Sequence, residues 1–212
     1  MANFFSASQE EQQEILLSFW QKYRYLLIAS LLVIASAIIG RDYLQTSSFE
    51  EDLNSATQYQ EYIEAETDQK ALGEKILQSY PESIYSDFVR LNEAKRNYND
   101  GEFNAAIDLL IHILDSKSMS PDEFDPIIAA AQTRLAKIYI EQQNFNEVIS
   151  IFEPTSEMTS SMHELKGDAH NGLGQFSLAR ESFMLALQNS TNQTARALIN
   201  MKISDLESEE VE

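Results

Sequence analysis

Cysteine is absent from the 212 residues, which excludes a disulfide framework, a thiol nucleophile and a thiolate metal site. Basic residues are scarce: 15 lysines and arginines stand against 34 aspartates and glutamates, giving a formal net charge of −19. A surface this negative repels phosphate, so nucleic acid is excluded as a partner. The same charge favours basic protein partners, with solubility alone as the competing interpretation.

Recognisable catalytic patterns are missing as well. The sequence has no Gly-x-Ser-x-Gly element and no glycine-rich phosphate loop. His163 and His170 are seven residues apart and share a helical face near Glu164 and Asp168, but only His112 remains to complete a metal site. We interpret the first two histidines as packing residues. The sequence therefore predicts no enzyme activity, metal, cofactor or small-molecule substrate.

One segment is long and apolar enough to suggest a membrane span. Between Arg24 and Arg41 lie 16 uncharged residues, Tyr25 to Gly40, which as a helix extend roughly 24 Å. The hydrocarbon core is about 30 Å thick, and the two flanking arginines can snorkel across the difference. Aromatic rings suited to the two membrane interfaces flank or begin the segment at Trp20, Tyr23, Tyr25 and Tyr43.

A cleaved signal peptide is the alternative for this segment. Ala35 and Ala37 imitate a small-x-small cleavage site. Against cleavage, the preceding tail is 24 residues long and contains three glutamates, and Ile38 and Ile39 continue the apolar run. We expect a retained anchor.

The flanking charges predict how the chain is oriented. Lys22 and Arg24 precede the segment and only Arg41 follows it, so residues 1–24 are expected to be a short cytoplasmic tail and residues 25–40 the transmembrane helix. Residues 41–80 are expected to be a linker with a leading helical pair. Residues 81–212 form the predicted repeat region on the far side of the membrane.

From Ser47 onward, apolar residues recur at spacings of three and four and nowhere alternate as in a strand, which predicts an all-α fold. Turn residues divide the helices. A capping-box pattern at Ser120 to Glu123 competes with Asp125-Pro126 as the start of one helix, and the sequence leaves both open. The predicted breaks lie at 80–83, 100–101, 118–126, 143–144, 154–156, 172–175 and 189–194.

A repeat appears when the segments are superposed. Phe103, Phe145 and Phe176 each follow a break, with a small or apolar residue three positions later and a large apolar one seven positions later. A small residue also lies nine positions before each phenylalanine, at Ala94, Ala136 and Gly167. This pattern resembles the tetratricopeptide repeat, a helix-turn-helix unit of ~34 residues. Gln143 and Val148 depart from it, where the family favours glycine and alanine.

Helices are also predicted on both sides of the repeats. Phe49 to Ala65 and Gln69 to Tyr80 form the leading pair. Thr194 to Leu206 is the predicted capping helix, because a solenoid end needs a helix with a polar outer side. Its expected buried face consists of Ala195, Leu198, Ile199, Ile203 and Leu206.

Likeness to the tetratricopeptide repeat implies a concave surface, lined by the first helix of each pair, that binds extended peptides or helices. The competing interpretation is burial in the core, because one stripe at helical spacing contains Phe88, Leu91, Ala94 and Tyr98. The candidate groove residues are Phe88, Leu91, Lys95, Tyr98, Thr133, Lys137, Ile140, Glu164, Asp168 and Asn171.

With its acidic tail, one predicted span, acidic repeat domain and final helix Ile199 to Leu206, the chain resembles the YfgM family over nearly its whole length. That resemblance implies an ancillary subunit of the bacterial Sec translocon, anchored in the inner membrane with its C-terminal domain in the periplasm. It further implies a chaperone-like role toward translocating polypeptides and a membrane-anchored chaperone partner similar to PpiD. The same architecture equally serves an envelope-stress regulator or assembly scaffold that holds one defined partner.

Overall fold

The computed structural model describes residues 50–117, 124–152 and 157–209, together with residues 17, 20, 22–24, 30, 33 and 34. The chain divides into two compact units, Met1–Asn54 and Ser55–Glu212. In the first unit the described positions are helical, and the predicted membrane segment lies outside them except for Ser30, Val33 and Ile34. No helix within the described ranges is both long and apolar enough to cross a membrane.

In the second unit, all regular structure that the described residues contain is helical. Residues 50–64 are helical, and residues 55–64 of that segment are called α1. The helices that follow are α2 (Gln69–Ser79), α3 (Ile84–Asn99), α4 (Phe103–Ser116), α5 (Pro126–Glu141), α6 (Phe145–Phe152), α7 (Ser160–Gly172), α8 (Phe176–Asn189) and α9 (Gln193–Glu209). The predicted all-α solenoid is confirmed for this unit.

Polar side chains fix the starts of three helices. Ser83 accepts a hydrogen bond from the amide of Tyr85 at α3, and Thr159 accepts one from Met162 at α7. At α5, Asp125 accepts from Ile127 at 2.7 Å, with Pro126 in the first turn. Of the two predicted starts, the structure uses Asp125-Pro126, and residues 118–123 lie outside the described part of the chain.

The three repeat hairpins, α3–α4, α5–α6 and α7–α8, turn in the same way. Gly101, Gln143 and Gly174 all have positive φ, at 80°, 59° and 70°. The amide of the next residue bonds back to the carbonyl five positions earlier, at 2.7, 2.8 and 2.9 Å, as in a Schellman motif. Since Phe103, Phe145 and Phe176 each begin the second helix, the sequence repeat is a structural repeat.

Small residues allow the two helices of a hairpin to approach closely. Ala106, Val148 and Ala179 are fully buried on α4, α6 and α8, as the repeat predicts. On α7, a Cβ added to Gly167 would lie 2.5 Å from ring atoms of Phe183 on α8. Phe183 therefore occupies the space that glycine leaves, and any larger residue at 167 would displace it.

The leading pair α1 and α2 packs on α3 through an apolar and a polar layer. Tyr62, Ile76 and Val89 form the buried cluster. Beside it, the Tyr62 hydroxyl donates to Glu93 at 2.9 Å, and Arg96 donates both to Glu93 at 2.8 Å and to Gln69 at 2.7 Å. The network joins three helices and gives the largely buried carboxylate of Glu93 two hydrogen-bond donors.

Helix α9 packs on α8 at the C-terminal end of the repeats. The prediction for one of its core residues is wrong. Ile199 and Leu206 are buried with Ala179, Phe183 and Ala186, as expected of a capping helix. Leu198, which was expected on the same face, is 51% exposed. Successive helical residues are about 100° apart, so the burial of Ile199 against α8 turns Leu198 toward the edge of the contact.

Candidate protein-binding groove

A cavity of about 450 Å³ lies between the first helices of the three repeats, α3, α5 and α7. Five of the ten predicted groove residues line it: Lys95, Tyr98, Lys137, Ile140 and Asp168. They come from three separate hairpins, so the cavity exists only because the repeats stack. Its volume falls within the ~300–1,000 Å³ typical of ligand pockets.

The base of the cavity is apolar. Ala94, Leu110, Ile138 and Leu165 line it and are buried, and they belong to four different helices. Ala94 is one of the small residues that the repeat places nine positions before its phenylalanine. Ala94 therefore belongs both to the buried core and to the lining of the cavity.

Basic groups surround the apolar base. Lys95 and Lys137 are exposed, and Arg134 is half-buried with its guanidinium donating to the backbone carbonyl of Leu91. Burial lowers the pKa of Arg134, which nevertheless remains charged at neutral pH. In a chain with a net charge of −19, three cations at one cavity are a local reversal of sign.

Two carboxylates also line the cavity, and both have partners. Glu141 accepts a hydrogen bond from the Tyr98 hydroxyl across α3 and α5, and this bond raises the pKa of Tyr98. Asp168 accepts from the ammonium of Lys202 on α9 at 2.8 and 2.7 Å. Lys202 therefore neutralises Asp168, whereas Glu141 keeps its negative charge, because its partner is a neutral hydroxyl.

Lys202 joins the capping helix to the groove helix α7. Its ammonium also donates to Glu164 at 2.8 Å, so one cation neutralises two neighbouring carboxylates. Burial lowers the pKa of Lys202, but the hydrogen bonds to Asp168 and Glu164 outweigh it and the net pKa is raised. Burial, together with the charge of Glu164, raises the pKa of Asp168 despite the opposing effect of Lys202.

The other five predicted residues do not line the cavity. Leu91 is buried in the core between α3, α4 and α5, and Phe88 packs on that core with its ring 5.8 Å from Tyr59. Thr133 and Asn171 are half-buried outside the cavity lining. Glu164 is held by Lys202. The first two positions match the competing interpretation that the stripe on α3 is core.

A family model described as tetratricopeptide repeat-like domain matches residues 17–208. The chain belongs to this tetratricopeptide repeat-like family. A relative from Haemophilus influenzae, described as an ancillary SecYEG translocon subunit, is 27% identical over 207 residues, covering 94% of this chain and 98% of the relative. These findings confirm the resemblance to the YfgM family. No solved structure gives a significant match.

Within this tetratricopeptide repeat-like fold, sequence reasoning missed several residues of the cavity. Arg134 and Glu141 lie three positions before and four after Lys137, so helical periodicity could have placed them on the same face. Leu110 and Leu165 were recognisable only as apolar core positions. Lys202 had no local signal, because its role depends on how α9 packs against α7.

His170 is buried and His163 is half-buried, whereas His112 is exposed. His170 is buried on α7 with Nδ1 2.7 Å from Gln175 Oε1, where it helps to close the hairpin turn. Burial lowers the pKa of His163, and the nearby charge of Lys166 adds to the effect. Within the described ranges, no group of three histidine or carboxylate residues is placed to hold a metal ion.

Proposed function

We propose that this chain is a membrane-anchored scaffold of the bacterial inner membrane that works beside the Sec translocon and binds polypeptides in the α3–α5–α7 groove. In this proposal residues 25–40 form the span, residues 1–24 are cytoplasmic, and the repeat domain is periplasmic. The main support is the cavity, in which three stacked repeats present an apolar base surrounded by lysines. The Haemophilus influenzae relative, named as an ancillary SecYEG translocon subunit, supports the location.

Tethering explains how a groove of modest affinity can be effective. A binder held beside the exit of a channel by a short linker meets emerging chains at an effective concentration in roughly the millimolar range. Modest affinity then suffices, and weak contacts release the polypeptide quickly. We extend the proposal to a PpiD-like membrane-anchored chaperone as a second partner, on the basis of the YfgM resemblance.

The absence of cysteine permits a direct test. A single cysteine introduced as Lys137→Cys places a photo-crosslinker at the cavity, and Lys75→Cys places it on exposed α2 as a matched control. In cells secreting a translocation-arrested protein, we expect the arrested chain to crosslink to position 137 and not to position 75.

Other crosslinking patterns would reject the proposal in different ways. One discrete partner at position 137, with no arrested chain, would favour the regulator or assembly scaffold that holds a single protein. Crosslinks from position 75 alone would move the binding surface away from the groove. Crosslinks from neither position would remove the support for polypeptide binding.

A further inference from the structure

The groove and the whole chain differ in charge. The chain has 15 basic against 34 acidic residues, whereas the cavity is lined by Lys95, Arg134 and Lys137 against Glu141 and Asp168. Screening limits the reach of the overall negative field, because the Debye length is about 8 Å at physiological ionic strength. A segment seated in the cavity therefore responds chiefly to the charges that line it.

Those lining charges are not equally available to a ligand. Glu141 is hydrogen-bonded to Tyr98, Asp168 is bound by Lys202, and Arg134 donates to the carbonyl of Leu91. Lys95 and Lys137 are exposed, and within the described residues the structure records no ion pair for either. Asp168 is neutralised by Lys202, so the remaining lining charges are three cations, Lys95, Arg134 and Lys137, against the single carboxylate of Glu141, and the cavity has a local excess of positive charge.

Apolar surface lines the same cavity as these two lysines. Ile138 and Leu165 form part of the buried base, and Tyr98 and Ile140 are half-buried at its sides. A purely acidic segment would leave this surface exposed to water, and a purely apolar one would leave both ammonium groups without counter-charges. Both features are used by a large apolar side chain with carboxylates on its flanks.

We propose that the groove selects polypeptide segments in which a large apolar residue is flanked by aspartate or glutamate, an inference that rests on the proposed function. The selection is opposite to the basic-partner preference that the net charge of the chain suggests. Each exposed ion pair contributes about two- to fivefold in affinity, so two pairs give about tenfold discrimination against a neutral segment. Basic flanks add repulsion and bind more weakly still.

Four dye-labelled peptides of equal length test this selection against the full-length chain by fluorescence anisotropy. The first has a central Leu-Leu with Asp and Glu flanks. The second has Lys flanks, the third has Ser flanks, and the fourth keeps the acidic flanks but replaces Leu-Leu with Ser-Ser. We expect the first to bind about tenfold more tightly than the third, and the advantage to shrink as salt is raised. The second and fourth should bind most weakly.

Charge-reversal variants show which lysines cause the preference for acidic flanks. Lys95→Glu with Lys137→Glu should abolish the preference for acidic flanks. The matched control, Lys70→Glu with Lys75→Glu, makes the same change in net charge on exposed α2 and should leave the preference intact. If the control double variant reduces the preference as much as the groove variant does, the selection arises from the overall field and the inference is overturned.

Failure of the inference can be told apart from failure of the proposed function. Equal binding of acidic, neutral and basic apolar peptides overturns the charge selection while crosslinking at position 137 still supports the groove. The absence of any peptide binding, with crosslinking retained, also overturns the inference alone. Loss of both peptide binding and crosslinking rejects the groove itself.

Discussion

Gln143 has a backbone conformation that glycine occupies in the two equivalent turns. Its φ of 59° lies in the left-handed region, where a Cβ atom crowds the following carbonyl oxygen. Gly101 and Gly174 adopt the same region without that contact. The middle repeat therefore closes its turn at a small energetic disadvantage.

Replacing Gln143 with glycine should stabilise the domain by up to about 1 kcal/mol. The gain from removing the left-handed strain of ~1–2 kcal/mol exceeds the extra backbone entropy that glycine adds to the unfolded chain. Urea unfolding followed by circular dichroism measures the change. Gly174→Ala is the mirror experiment and should destabilise by a similar amount, because the same conformation then acquires a Cβ. A loss of stability in Gln143→Gly would show that the glutamine side chain makes a compensating contact.

At the level of elements, Lys202 holds the end of the solenoid together. Its ammonium links α9 to two carboxylates of α7, and each of the three side chains is about 30% exposed. Solvent screening reduces what such pairs contribute, but the two carboxylates lie close together and repel one another once the cation is removed.

Lys202→Met should loosen α9 while leaving the rest of the domain intact. Hydrogen exchange in residues 193–206 is expected to accelerate by about tenfold, with α3 to α6 unchanged. Because the pKa of folded Lys202 is raised above 10.5, its contribution is complete below that pH and is lost as the pH rises through the folded value. Lys70→Met, on exposed α2, is the control. Exchange at the control rate would mean that Ile199 and Leu206 alone hold the helix.

Element boundaries were largely predictable because each has its own local chemistry. Gly101, Gly174 and the Asp125-Pro126 pair mark turns or starts by residue type, and the structure places helix ends beside them. The buried face of α9 was less predictable. Leu198 and Ile199 are equally apolar neighbours, and only the position of α8 decides which of them is buried.

On the scale of the whole molecule, we predict that the repeat domain faces away from the cytoplasm, since Lys22 and Arg24 precede the predicted span. Protease added outside spheroplasts should digest residues 55–209. A cytoplasmic marker protein should survive the same treatment. Protection of the domain until the inner membrane is broken would reverse the proposed topology.

Some residues that line the groove were predictable from the sequence, but the pairing of its charges was not. Likeness to the tetratricopeptide repeat gave ten candidate residues on α3, α5 and α7, and five of these line one cavity. Whether a charge there is free depends on contacts between distant segments. Tyr98 bonds to Glu141, and Lys202 reaches Asp168 from 34 residues away, so neither pairing has a local sequence signal.

The turns within hairpins and the connections between hairpins differ in how well they tolerate changes in length. Each turn after α3, α5 and α7 has three residues, whereas the two connections between successive hairpins have nine and seven, and the link from α8 to α9 has three. The backbone bonds within a turn fix its length, whereas each doubling of the length of a connecting segment costs only about 0.6 kcal/mol in loop-closure entropy. Evolutionary insertions should therefore accumulate between hairpins, where the chain can acquire new segments without disturbing the register of the groove helices.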